Sequence, residues 1–189
     1  MDHVIRKIYS NYEKEENWLN EMSAKGMSLT NYTWGRYTFT ETPKNEYTYR
    51  IELLENLPTH PESIAYIKFL GETGVEFVAS YMRWIFLRKK SSEGTFDVYS
   101  DIESKIKHYM RINVLWITVM CLEFIPSIYN LVIGMLTLDS SYKLGTFRIA
   151  NFNIFFSIPT FLFGLVFLRL WWQNRKVINK LKLEKSIRE

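Results

Sequence analysis

Cysteine is almost missing from this chain of 189 residues: Cys121 stands alone. No intrachain disulfide can form, so a secreted, disulfide-stapled domain is excluded. Histidine is as scarce. His3, His60 and His108 lie far apart, and no Cys/His spacing has the form of a metal site. Familiar chemical motifs are missing too. Gly71-Glu72-Thr73-Gly74 has neither the length nor the lysine of a phosphate-binding loop, and no nucleophile elbow or HExxH helix occurs. These absences lead to the expectation of a protein that is not an enzyme, with no catalytic residues, no metal and no cofactor. The N-terminal MDHVIRKIYSNYEKEE contains no apolar core of signal-peptide length.

A mean hydropathy of −0.14 with 23% charged residues suggests a soluble domain, and a net charge of +4 with a pI near 9.0 suggests a nucleic-acid partner. Neither survives division of the chain at Arg111. Residues 1–111 hold 15 Lys/Arg against 16 Asp/Glu, and residues 112–189 hold 9 against 4. The second part contains two long apolar runs. Ile112–Leu136 carries one charge, Glu123, and Ala150–Trp172 carries one, Arg169, near its end. A hydrocarbon layer of roughly 30 Å needs about 20 apolar residues in a helix, and both runs supply that. Pro126 and Pro159 are tolerated in membrane helices, and Trp171 and Trp172 suit an interface. The short link over 137–149 makes the pair a hairpin.

Flanking charge sets its expected orientation. Lys105, Lys107 and Arg111 precede the first run; Arg175, Lys176, Lys180, Lys182, Lys185 and Arg188 follow the second; the link has only Lys143 and Arg148. The excess places both termini in the cytoplasm of a bacterial cell (inner) membrane protein. The basic tail over 173–189 is amphipathic, with Val177, Ile178 and Leu181 opposite Lys176, Lys180 and Lys182. It is suited to anionic lipid or to a partner helix. The membrane accounts for the positive charge, so no nucleic-acid partner is expected.

The polar segment over 1–100 repeats itself. Helices are expected after the capping boxes Ser10-Asn-Tyr-Glu13 and Thr59-His-Pro-Glu62, ending at Gly26 and Gly74. A third box, Ser100-Asp-Ile-Glu103, opens a juxtamembrane helix over 101–111. With Gly26 placed over Gly74, MSLTNYT faces VEFVASY as strands. A one-residue gap then sets Gly35-Arg36-Tyr37-Thr38-Phe39 against Met82-Arg83-Trp84-Ile85-Phe86. Each helix follows an extended run, VIRKIYS or YTYRIELL, which gives a tandem βαββ duplication. The expected fold is therefore an α+β cytoplasmic domain, ferredoxin-like or gyrase-inhibitor-like by fold analogy, followed by a two-helix transmembrane hairpin.

The stretches EKEENWLNEMSAKGMSL, GRYTF, YTYRIELL, FLGETGVEFVASYMRWIFLRKK and YSDIESKIKHYMRI, in that order, resemble the bacterial domain-of-unknown-function 2812 family over roughly residues 10 to 112. The paired apolar helices that follow also resemble that family. The resemblance implies a membrane protein of low-GC Gram-positive type bacteria, often encoded beside PadR-like repressors. The family has no agreed activity, so it supplies no catalytic residues.

Three groups of residues are candidates for function. Glu123 lies eleven residues into the first apolar run, about 16 Å deep, with Ser157 and Thr160 at similar depth in the second. Either it protonates and bonds across the hairpin, or it serves an ion path or an oligomer contact. Arg36-Tyr37 and Arg83-Trp84, at matching places in the repeats, either flank a cleft lined by Tyr32, Trp34, Tyr47 and Tyr49 and bind an anion or aromatic ligand, or are surface arginines beside core aromatics of the sheet. The tail cations Arg175, Lys176, Lys180, Lys182 and Lys185 face lipid. The leading expectation is a membrane-anchored sensor or protein-interaction module that binds a small molecule or a protein partner. The competing ones are a small transport or channel subunit, as a homo-oligomer, and a membrane resistance or immunity protein using the intramembrane carboxylate.

Overall fold

The computed structural model describes residues 2–99, 101–143 and 147–188. The chain forms two units, Met1–Ser104 and Lys105–Glu189.

In the N-terminal unit, β1 (His3–Arg6), α1 (Tyr12–Ala24), β2 (Met27–Thr33) and β3 (Arg36–Glu41) are followed by β4 (Tyr47–Leu53), α2 (Pro61–Glu72), β5 (Glu76–Tyr81) and β6 (Trp84–Lys90). The duplication is present. Each repeat makes an antiparallel three-stranded sheet in the same order, β1-β3-β2 and β4-β6-β5. Gly26 and Gly74 end the helices at φ 82° and 84°, where a side chain would be strained. A β-bulge falls between Leu29 and Asn31 in β2 and between Phe77 and Ala79 in β5, at one repeat position.

Two local expectations are corrected. The caps sit one residue later than the boxes suggest. The Asn11 side chain accepts from the Lys14 N–H, and His60 accepts from the Glu62 N–H. Ser100 lies outside the described residues; the observed bond there is from the Ser104 N–H to Asp101 Oδ1 at 2.7 Å. The one-residue gap also disappears. Both hairpins turn in two residues, so Arg36 is equivalent to Trp84, and Gly35 to Arg83. Backbone bonds agree, since the Lys7 N–H donates to the Gly35 carbonyl and the Leu54 N–H to the Arg83 carbonyl. Hairpin closure, rather than the identity of neighbouring arginines, sets the register.

Packing follows strand alternation. Tyr37 and Phe39 of β3, Tyr49 and Ile51 of β4, Ala79 and Phe86 join Leu19 and Met22 of α1 in one core spanning both repeats. Ile85 and Leu87 point the other way, into a second core with Leu70 of α2, Val75 and Phe96. The sheets meet where β2 runs beside β5.

The outer edge of β4 would present unpaired backbone groups, and α1 covers them with side chains. Ser23 Oγ donates to the Tyr47 carbonyl at 2.6 Å and accepts from its N–H at 3.3 Å. Asn20 accepts from the Tyr49 N–H at 2.7 Å and donates to its carbonyl at 3.3 Å. Glu16 accepts from the Ile51 N–H at 3.0 Å. The spacing 16, 20, 23 is one face of a helix, and 47, 49, 51 is one edge of a strand. Arg88 adds a second tie. Its guanidinium bonds Glu76 at 2.7 Å and reaches across to Ser28 Oγ at 2.9 Å and the Leu29 carbonyl at 3.3 Å.

In the second unit, α3 (Ile102–Lys143) and α4 (Phe147–Arg188) have 42 residues each, about 63 Å at 1.5 Å per residue. Helix therefore replaces most of the link expected over 137–149, and residues 144–146 lie outside the described residues. The tail is no separate element either, because α4 runs on to Arg188. Good helix formers such as Lys, Leu and Arg dominate beyond Trp172, with no breaker among them. The apolar windows are long enough to cross a membrane, with only 11% of each buried, and Leu122, Ile125, Tyr129, Phe155 and Phe163 are exposed. A soluble core helix would hide these side chains. Antiparallel contacts join the helices at Tyr109–Asn174, Trp116–Phe167, Phe124–Phe161 and Ser127–Ser157.

Two substitutions test this account. Asn20→Ala strands the Tyr49 N–H, while the Tyr49 carbonyl keeps the Arg50 guanidinium at 3.0 Å, and should cost the N-terminal unit about 1–2 kcal/mol in denaturation of the full chain, against a negligible change for exposed Asn31→Ala. At Gly164 an added Cβ would stand 2.6 Å from the Phe124 ring. Gly164→Ala should therefore loosen the hairpin by about 1–3 kcal/mol, and Phe124→Leu in the same chain should restore much of it.

Candidate functional site

The candidate site lies where the repeats join, and begins with Glu15. This carboxylate sits in the first turn of α1, a position that usually faces water. Here its side chain is turned inward, and the residue is 9% exposed. The Tyr37 hydroxyl donates to it at 2.5 Å. Among the described residues no Lys or Arg forms an ion pair with it. Glu16, next in sequence, is treated differently: Arg50 lies 3.2 Å away and the Ile51 N–H adds a bond.

Burial pushes Glu15 up from 4.5 to about 7, with the Tyr37 bond offsetting part of the shift. Burial and the neighbouring carboxylate raise Tyr37 as well, and burial raises Tyr32. The Tyr9 hydroxyl is also buried with no hydrogen-bond partner among the described residues, though buried polar groups are seldom left so.

Aromatic rings connect this carboxylate to the surface. Tyr32 lies 4.8 Å from Tyr37 and 4.3 Å from Phe86. Tyr81 of β5 meets Tyr32 edge-on at 6.2 Å, and Trp34, 66% exposed in the β2–β3 turn, lies 6.4 Å from Tyr81. On the helix side, Tyr12 is one turn from Glu15 and packs against Trp84 at 6.0 Å. Trp18 stands edge-on to Tyr37 at 4.8 Å and carries the Lys7 ammonium 4.8 Å over its own ring. The wall draws rings from both repeats.

The residues singled out from the sequence are placed unequally. Tyr37, Trp34 and Trp84 belong to the aromatic wall, with Tyr37 fully buried. Arg36 is exposed, and Arg83 donates to the Glu55 carbonyl at 2.9 Å. With the register corrected, these arginines are not repeat equivalents and do not form a matched anion clamp. In α3, Glu123 is half-buried and has no hydrogen-bond or ion-pair partner among the described residues. Ser157 accepts through its carbonyl from Ser127 Oγ at 2.8 Å, and its own hydroxyl donates to Ile154. Thr160 bonds carbonyls of its own helix. Neither reaches Glu123. In the tail Arg175, Lys176, Lys180 and Lys182 are exposed and Lys185 is half-buried, whereas Asn174 and Ile178 are buried on the face toward α3.

Sequence reasoning missed Glu15 and Tyr81. Their signal is weak, since Glu15 stands in the acidic run EKEE that opens a helix.

Comparison with known proteins gives the class first. The profile of a family described as "Protein of unknown function (DUF2812)" matches residues 11–121, the whole aromatic site and the start of the apolar segment. The chain belongs to this family and combines its domain with two helices long and apolar enough to span a membrane. No curated protein and no solved structure matches it.

The raised Glu15 has a consequence for stability. A carboxyl favoured in its neutral form stabilises the fold fully below its unfolded value near 4.5, and that contribution is lost as pH rises through about 7. The loss amounts to about 3 kcal/mol. The melting temperature of the N-terminal unit, followed in the full chain, should fall between roughly pH 5 and pH 8, and Glu15→Gln should flatten that slope.

Proposed function

We propose that this protein is a membrane-anchored, non-enzymatic binding module whose N-terminal unit takes a small ligand or a protein partner at the join of its two repeats. One observation carries the reading. An unbroken line of rings, Trp34, Tyr81, Tyr32 and Tyr37, leads from solvent to a buried carboxylate that has no counter-ion among the described residues. Joins between repeats are common places for binding, and exposed aromatics beside buried polar groups suit recognition better than a bare core does. The flanking cations favour a cytoplasmic position for both termini in a bacterial membrane. Helix α3, continuous from Ile102, is the covalent route by which occupancy is reported to the bilayer, or the reverse. The transport reading has less support, because Ser157 and Thr160 are engaged away from Glu123.

Photocrosslinking tests this in native membranes. A benzophenone side chain at position 34 or 82 should give the same specific adduct, whereas position 57, an exposed leucine, should not. Equal adducts from all three positions would remove the basis for a binding join.

A further inference from the structure

We infer that the aromatic join selects an organic cation, a quaternary or protonated ammonium group on an apolar body. This rests on the reading of the join as a binding site, and adds the charge and class of its ligand. The sequence, with its paired arginines, points to an anion or aromatic ligand or to surface arginines beside core aromatics; the geometry favours a cation. Arg36 is turned to solvent and Arg83 is engaged with the Glu55 carbonyl. The charge set among the rings belongs to Glu15.

Three features point the same way. First, α1 carries two adjacent glutamates drawn out of water, Glu15 buried and Glu16 half-buried, and the contrast between them is informative. Glu16 is neutralised by Arg50. Glu15 has one phenol donor and no cation among the described residues. A buried carboxylate is costly to leave charged without a counter-charge, so a ligand that supplies one gains what the protein leaves open. Second, the neighbouring side chains are aromatic, Tyr37 and Tyr32 beside the carboxylate and Tyr81 and Trp34 beyond them, and aromatic rings attract ammonium groups. Third, the same cluster already holds a cation. The Lys7 ammonium lies 4.8 Å over Trp18 and 4.9 Å over Tyr9, and Trp18 packs directly on Tyr37. An anion would meet the carboxylate and the negative faces of the rings together, and a neutral apolar ligand would leave the carboxylate unpaired.

The test uses the full chain in maltoside micelles, titrated calorimetrically with benzyltrimethylammonium. Its neutral carbon isostere neopentylbenzene and the anion benzenesulfonate are run beside it, each corrected for empty micelles. The ammonium should bind saturably, at least tenfold more tightly than the other two. Glu15→Gln should weaken it tenfold or more, and that variant keeps an oxygen for the Tyr37 bond. Trp34→Asn provides a second variant. It removes an exposed ring at φ 38°, a conformation asparagine tolerates, and it should also weaken binding.

Equal affinity for the three probes, ammonium affinity unchanged in both variants, or no saturable binding would each overturn the proposal. Specific crosslinking from positions 34 and 82 without ammonium selectivity would refute the cation and leave the binding join standing. Selective ammonium binding without position-specific crosslinking would do the opposite. Loss of the signal in phosphocholine micelles, where headgroups compete, would support the same chemistry and identify a lipid ammonium as its source.

Discussion

The N-terminal unit depends on the contact between α1 and the free edge of β4. A strand edge exposes N–H and C=O groups that must be paired or solvated. Here three side chains one helical turn apart, Glu16, Asn20 and Ser23, meet alternate residues of the strand, Ile51, Tyr49 and Tyr47. The helix belongs to the first repeat and the strand to the second. The interaction therefore fixes one repeat against the other and ties helix rotation to strand position. Tyr49 extends the tie, since its hydroxyl accepts the Leu29 N–H at 2.8 Å and lies 2.9 Å from Ser28 Oγ. One residue thus joins α1, β2 and β4.

That constraint explains why the repeats share a topology but not a site. Glu15, Glu16, Asn20 and Ser23 of α1 stand where α2 has Ser63, Ile64, Lys68 and Gly71. The second helix has no polar stripe to cover a strand edge, and Ile64 is exposed. Tyr32 and Tyr37 correspond to Ser80 and Ile85. The aromatic wall is built on the first repeat, and the second contributes Tyr81, Trp84 and Phe86. Rotating α1 so that 16, 20 and 23 face the strand edge also turns 12, 15 and 19 inward, because these lie on the adjacent face. The burial of Glu15 thus follows from the same rotation that satisfies β4.

Much of this was legible in the sequence because it is periodic or compositional. Helix-ending glycines, alternating strands and two apolar runs with a single charge apiece each leave a local signature, and with them the duplication and the membrane hairpin. The inaccuracies have local causes. Asn11 and Ser10 are both good caps, and adjacency alone cannot choose between them. The two Arg-aromatic pairs invited a gap that hairpin geometry does not allow. The tail read as an independent amphipathic segment, because the partner of Asn174 is Tyr109, 65 residues earlier. Glu15 was out of reach for the same reason. Whether a glutamate in a helix's first turn faces water depends on strands more than 20 residues away, and nothing in EKEE distinguishes the exposed Glu13 from the buried Glu15.

Glu15, Glu16 and Glu123 differ in how they are drawn out of water, as does Glu52, buried with the Tyr66 hydroxyl donating to it at 2.9 Å, and the setting of each carboxylate is what separates them. Glu16 has a guanidinium and a backbone N–H, the arrangement of a charge retained for architecture. Glu123 lies half-buried in an apolar helix, where the hydroxyls of Ser127, Ser157 and Thr160 are spent on backbone carbonyls, so its surroundings offer it little. Glu15 stands between these cases. Its phenol partner is enough to hold it in place and too little to neutralise it, and its surroundings are rings that continue to an exposed tryptophan. A fold needing only to fill this space could have used leucine at the same helix position and avoided the desolvation cost. A carboxylate kept there, in a row of rings that ends at an exposed tryptophan and in a cluster where a lysine already rests on Tyr9 and Trp18, fits the proposed site, whose missing charge would come from outside the chain.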